Sequence, residues 1–375
     1  MTKIDPDLER GTLVEAPLEA PEEEIEFRIE EPLWRIRLRL FRRTFRNNWK
    51  LFRRNRIGMI GLGIIVIFAL MAVLQPILLA TGVWRARVYD PVVGNEPNPA
   101  IVEKVIVEEV TDPLTEINRR DALLVAPLAN VGDTVTIRAQ PAPPDGRHWL
   151  GTDPLGRDVL SQLMFGARAA FLLGTVAAVV TVVIGTVVGS ISAYFGGFID
   201  GLFMRLADLL LMIPALALLI AVTGVALQPK LWHLAVLIGI LSGFGGTAIV
   251  LKSQALSVKV KPFVDAARVA GGSNPRIILT HIIPNVLPLS FLYMMFTVTA
   301  AIALEAVLSF LGLSNIEMSW GIMLQLAQNQ GYLLSGGTFW WLLFPAGAAV
   351  TFLAAAFYLV GRGLDEVINP RLRRR

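Results

Sequence analysis

Six stretches of the chain stay apolar for about the 20 residues that a helix needs to cross a bilayer: 57–80, 170–195, 206–227, 232–251, 286–311 and 339–361. Inside them isoleucine, valine, leucine and alanine follow one another without the polar return of a helix lying half in water. The runs are far longer than barrel strands and do not alternate. Backbone groups in lipid must be satisfied within their own segment, so the pattern predicts an all-α polytopic membrane protein with six transmembrane helices. Arg205 and Asp208, one helical turn apart near the start of the third run, are placed to reach the headgroups and to pair with each other.

The pattern breaks between the fourth and fifth runs, at "VDAARVAGGSNPRIILTHIIPNVLP", residues 264–288. Pro262 suits a first turn, Asp265 lies near the positive end of the helix dipole, and Gly271 offers a left-handed stop, so 262–270 is predicted to be a short helix. Asn274 and Pro275 read as cap and first position of a second short helix, running to Ile283 and broken by Pro284 before the membrane. Ala266, Ala267 and Ala270 leave the first helix smooth enough for a partner's groove to approach. Such a helix–turn–helix, held at the membrane face, is a lever for receiving motion.

Composition agrees with the pattern. Of 375 residues 54% are hydrophobic and 17% charged, against about a quarter charged in soluble domains; the mean hydropathy is +0.59. There are no cysteines, hence neither disulfides nor thiolate metal sites. Charge sets the orientation. Ten lysines and arginines and no acid occupy 35–56, just before the first run. Lys252, Lys259, Lys261, Arg268 and Arg276 surround the broken segment, and Arg371, Arg373, Arg374 and Arg375 end the chain. Six spans put all three regions on one side, so both termini and the loop 252–285 are expected in the cytoplasm.

Outside the spans, residues 1–33 are acid-rich and too poor in apolar surface to fold alone, a disordered cytoplasmic tail. In 34–56, Trp34, Leu38, Phe41, Phe45, Trp49 and Phe52 recur at helical spacing among the arginines, an amphipathic interfacial helix that serves as an anchor or as a polybasic switch. The loop 81–169 lies outside, with strand-like segments at 100–110 and 133–138 suggesting a small β-rich insert. The core of spans two to six occupies 170–361, and 362–375 is a basic tail.

Little here can carry catalysis. No phosphate-cradling G-x-x-x-x-G-K-[ST] loop and no H-E-x-x-H pair occur. His148, His233 and His281 fall outside, at a span edge and inside, so they share no metal. Asp208 has no second aspartate at matching depth, as an intramembrane protease would require. The chain is therefore expected not to be an enzyme, to bind no metal and to meet no nucleic acid. Gly185 with Gly189, and Gly239 with Gly243, form G-x-x-x-G pairs suited to close helix packing against a partner chain, although such pairs also arise by chance. Glu305, ionisable inside the fifth span, is a pathway candidate or a structural pair. Gly156, Arg157 and Asp158 shape the outer mouth or touch substrate. A channel or a stand-alone secondary carrier is the competing class; carriers commonly show an internal repeat and midplane charge, and this chain shows no convincing repeat.

The segment "DAARVAGGSNPRIILTHIIPNVLP" resembles the EAA loop of ABC-importer permeases, with Asp265, Ala266, Ala267, Gly271, Pro284, Asn285 and Pro288 at the positions of that pattern. "HWLGTDPLGRDVLSQLMFGAR" at 148–168, "AYFGGFIDGLFMRLADLLLMIP" at 193–214, "EAVLSFLGLSN" from 305 with "SWGIML" to 324, and "GRGLDEVINPRLR" at 361–373 resemble the dipeptide/oligopeptide and nickel branch, C-type subunit. The likeness covers about 34–80 and 147–375. Asp265 stands where glutamate is usual, Gly272 where alanine is common and Arg362 where aspartate is common. The insert 85–146 is longer than usual, either a contact for a binding protein or a tolerated surface insertion.

The resemblance implies the type I importer permease fold and a role for Asp265, Ala266, Ala267, Arg268, Ala270, Gly271 and Pro284 in coupling to an ATPase. It implies as partners a second homologous permease, two cytoplasmic ATPase subunits, an external substrate-binding protein and membrane lipid. No cofactor is expected on this chain; ATP and Mg²⁺ belong to the ATPase partners. Peptide is the cargo the resemblance favours, with nickel or another small solute as the alternative.

Overall fold

A computed structural model describes residues 42–43, 46–92, 102–107, 109, 111, 119, 123, 128, 130–138, 141–225, 230–334 and 337–368. The acidic segment 1–33, the first part of the interfacial helix, much of the insert and the end of the basic tail lie outside the described residues. The chain divides into two units, 1–49 and 50–375. In the first, positions 42, 43 and 46–49 are helical.

The second unit is a helical bundle. Helix α1 spans Arg56–Ala80, capped by Asn55, whose side chain accepts from the Gly58 N–H. A two-stranded antiparallel ladder follows, β1 Val102–Ile106 on β2 Thr134–Arg138, with Val102 opposite Arg138 and Ile106 opposite Thr134. These strands fall inside the two segments with strand-like patterning. Next come α2 Val159–Phe195, α3 Gly197–Met212, α4 Ala215–Val225, α5 Leu231–Ser242 and α6 Ala248–Lys259, the last two joined through Gly243–Thr247, where Gly245 leaves helical backbone at ψ −131° and makes a kink. After them come α7 Pro262–Val269, α8 Asn274–Ile277, a π turn at Ile278–Ile282, α9 Ile283–Phe310, α10 Trp320–Asn329 and α11 Trp340–Ile368. Among the described residues five helices are long and apolar enough to cross a membrane, and up to six if the bent pair α3–α4 is one span.

Three boundaries differ from the apolar pattern. Helix α2 begins at Val159 rather than near 170, because Asp158 caps it, accepting from the Ser161 N–H at 2.7 Å. Its first turns carry Ser161, Gln162 and Arg168, too polar to extend an apolar run. The third span is not one continuous helix over 206–227. It starts at Gly197 and bends by 82° between α3 and α4. Ile213, held extended at φ −87° and ψ 122°, precedes Pro214, whose ring disfavours helical backbone at that position. The region 252–285 is largely helical rather than a loop: α6 runs on to Lys259 through Lys252, Gln254 and Ser257, and helix resumes at Asn274.

Pro284 does not break the second helix, which continues unbroken from Asn274 to Phe310. The π turn just before it removes the conflict. The Ile283 N–H bonds the Ile278 carbonyl five residues back, placing the proline in a first turn where its missing N–H is tolerated. The Asn285 side chain then donates to the His281 carbonyl at 2.7 Å.

Lipid offers no hydrophobic drive between helices, so small residues must let backbones approach. The four motif glycines do this inside the chain, not against a partner chain. A Cβ at Gly239 would lie 2.7 Å from the Ala177 carbonyl oxygen, and one at Gly189 would lie 2.8 Å from the Lys252 nitrogen. Gly185 faces Thr247 and Gly243 faces Ile184, so α2 and the α5–α6 helix run parallel with backbones nearly touching. Helix α1 meets α11 the same way through Gly58 and Gly363. Thr181 donates to the Gly239 carbonyl at 3.1 Å, Thr299 donates to the Ala354 carbonyl at 3.0 Å, and Thr186 and Ser290 share a 2.7 Å bond. Large apolar side chains of α1, among them Ile60, Ile67, Leu70 and Val73, point outward.

Candidate functional site

At one end of the bundle α7 projects past the spans. One side chain anchors it: Val264 is fully buried with Ile277, Ile278, Ile282 and Val286 of the following helix, Leu251, Ala255 and Val258 of α6, and Ala193 and Tyr194 of α2. Burying a valine contributes about 1.5–3 kcal/mol. Ala267 turns partly toward the same cluster. Asp265, Ala266, Arg268, Val269 and Ala270 face outward; Val269 is 89% exposed and Phe263 43%. An eight-residue helix with one apolar anchor and an outward face of small and apolar residues is held firmly on one side and left open on the other.

Its end is closed by paired glycines. Gly271 adopts φ +77°, its N–H bonds the Arg268 carbonyl, and the Gly272 N–H bonds the Ala267 carbonyl at 3.0 Å. These are the two bonds of a Schellman motif. A Cβ at Gly272 would stand 2.7 Å from the Ala267 carbonyl oxygen, which explains glycine at this position. A Cβ at Gly271 would meet open space, so there the constraint is the backbone alone.

Polar contacts tie this turn to α2. The Tyr194 hydroxyl donates to Asn274 Oδ1 at 2.7 Å, and the Lys259 ammonium donates to the Ala193 carbonyl at 3.0 Å. The Arg268 guanidinium pairs with Asp265 at 2.9 Å and lies 5.8 Å from the centre of the Tyr194 ring. Lys252 pairs with Asp200 of α3 at 2.5 Å. Arg205 and Asp208 are both exposed, and no ion pair joins them. The contacts that Tyr194, Asn274 and Lys259 make across this turn are not readable from the sequence.

The other predicted positions lie elsewhere. Pro284 is exposed on the next helix. Glu305 is buried in α9, accepting from Ser309 Oγ at 2.6 Å, and Ser309 in turn bonds Ser314 at 2.7 Å. Gly156, Arg157 and Asp158 belong to a buried knot before α2. Arg157 binds Asp153 through Nε and Nη2, both at 2.7 Å, and reaches the Val92 carbonyl at 3.2 Å. Asp158 Oδ2 meets His148 Nδ1 at 2.8 Å, while Gln162 donates to Asp153. Gly156 turns the chain at φ +77°. Around the knot, Ser161 donates to the Tyr89 carbonyl and the Tyr89 hydroxyl to the Arg147 carbonyl; burial, then the nearby Asp158 and Asp145, raise the Tyr89 pKa above its ordinary value. With their partners inside the knot, Arg157 and Asp158 hold the start of α2 in place.

Residues 185–374, which contain α7 and its anchor, match the family described as binding-protein-dependent transport system inner membrane component. Residues 34–84 match the N-terminal TM domain of oligopeptide transport permease C. A dipeptide transport system permease protein of Bacillus subtilis (strain 168) is 31% identical over 331 residues, 87% of this chain and 85% of that protein. An oligopeptide transport system permease protein of the same organism is 35% identical over 62% of this chain and 74% of its own length. One from Mycobacterium tuberculosis (strain CDC 1551 / Oshkosh) is 34% identical over 64% of this chain and 82% of its own length.

Proposed function

The chain belongs to the family of binding-protein-dependent transport system inner membrane components, and from that premise we propose that it is the permease subunit of an ATP-driven peptide importer. The observation that carries the coupling role is α7, an exposed helix fixed to three membrane helices through Val264. The peptide assignment rests on the similarity to dipeptide and oligopeptide permeases. A second, homologous permease completes the pathway, two ATPase subunits dock on the basic side, and an external binding protein delivers cargo at the other. ATP and Mg²⁺ reside on the ATPase subunits, and this chain holds neither.

Mechanically, α7 is short and closed at its end by the Gly271–Gly272 turn, so a push on its outward face moves it as a rigid body. Its anchor passes the displacement to α2, α6 and α9 together, and the Tyr194 bond to Asn274 keeps α2 in register with the turn. A bundle whose helices touch through glycine backbones rocks as a block rather than deforming. ATPase closure and opening then alternate the side on which the pathway is open.

Photo-crosslinking tests the docking. Benzoylphenylalanine placed at Val269 in membranes that hold the whole complex is expected to capture an ATPase subunit. Capture of lipid or of nothing would contradict the proposal, provided the same probe at Ile67 labels lipid.

A further inference from the structure

At the end of the bundle opposite α7 lies a cavity of about 630 Å³, between the first turns of α2, the start of α5 and residues 315–318. Small-molecule sites typically measure about 300–1,000 Å³ and set a few polar groups on apolar walls. Here the walls include Leu172 and Met318, and the polar groups are Arg168, Lys230, Glu317 and Asn315. The Arg168 guanidinium lies 5.5 Å from the Phe165 ring centre. No ion pair or side-chain hydrogen bond joins Arg168, Lys230 or Glu317 to any described residue. Arg157, just before α2, is by contrast paired with Asp153. Two cations and one carboxylate that face a single concavity without neutralising one another form an incomplete set.

We infer that this cavity receives the charged termini of a peptide, an inference that rests on the peptide-importer reading. Arg168 and Lys230 take the terminal carboxylate, Arg168 offering the planar fork that matches it. Glu317 takes the terminal ammonium, Asn315 supplies an amide that can donate or accept, and the apolar walls cover side chains. A metal cation is the poorer fit, because two positive side chains oppose it and one carboxylate favours it. The competing occupant is a loop of a partner protein.

The test uses the whole reconstituted complex with its binding protein. The probe is a set of alanine–phenylalanine di- to pentapeptides, compared with the same set amidated at the carboxyl end or acetylated at the amino end, with uptake read by mass spectrometry. The wild type is expected to favour free carboxylates, and Arg168→Gln with Lys230→Gln is expected to lower the acid-to-amide ratio by about tenfold, the worth of one charge-assisted hydrogen bond. Arg168→Lys should keep most of the preference. Glu317→Gln should lower the amine-to-acetyl ratio and leave the acid-to-amide ratio in place. Unchanged ratios in both variants would overturn the inference while leaving peptide import standing. Loss of the second permease or the binding protein from the purified double variant would also overturn it, marking the cavity as a subunit contact. A wild-type complex that imports none of the peptides would bring down the peptide reading and this inference with it.

Discussion

Gly271 and Gly272 are adjacent and do different things, which substitutions can separate. At Gly271 only the left-handed backbone is demanding, at about 1–2 kcal/mol for a side chain, and asparagine tolerates it best. At Gly272 the Ala267 carbonyl blocks a Cβ, so alanine must open the turn. Gly271→Asn is therefore expected to leave thermal unfolding of the purified complex nearly unchanged, while Gly272→Ala lowers it, a contrast that differential scanning fluorimetry resolves. Val264 is the other decisive residue. Val264→Asp buries an unpaired charge, so α7 is expected to detach, with faster hydrogen exchange over 262–270 and loss of uptake, while Val264→Ile keeps both near wild type. Gly271 was legible from the sequence as a stop. Gly272 was legible only as an oddity, because its reason is a carbonyl five residues back, and Val264 was one valine among many. Arg157 and Asp158 were legible as a motif, but their pairing with Asp153 and His148 was not.

Among the elements, hydrophobic runs located the spans and missed their ends, because helix continues wherever caps and packing allow and not only where residues are apolar. Asp158 extends α2 backward, and a π turn carries α9 through Pro284. Proline in a helix interior costs about 3 kcal/mol, so Pro284→Ala would recover that much if the helix were strained there. Because the π turn already accommodates it, the expected gain is under about 1 kcal/mol, read from thermal unfolding. The α3–α4 bend was written in the sequence as Ile213–Pro214, but a count of apolar residues passes over it. The glycine pairs gave the right kind of packing and the wrong neighbour. Gly189→Leu would drive a side chain into the Lys252 backbone, so overpacking of about 1–3 kcal/mol or more is expected to lower the yield of folded chain even without any second permease.

For the whole molecule, the charge rule supplies an orientation that a bundle alone does not. The absence of cysteine makes that orientation directly measurable. Val269→Cys, on the basic side, is expected to react with a membrane-impermeant maleimide only in inside-out vesicles, and Leu155→Cys only in right-side-out ones. Partners are the part no single chain spells out, since their contacts are surfaces completed by other molecules; here the outward face of α7 is the surface that asks for one.

The measurement that bears most directly on this account is ATP hydrolysis by the reconstituted complex, with and without loaded binding protein, comparing wild type with Gly271→Asp. Aspartate fits the open space at that turn, so the chain should insert and assemble while a charge projects where the ATPase is proposed to dock. The account predicts that stimulation by the loaded binding protein and uptake are both lost in the assembled variant. Stimulation at the wild-type level would contradict it, since α7 and its turn would then not transmit the motion.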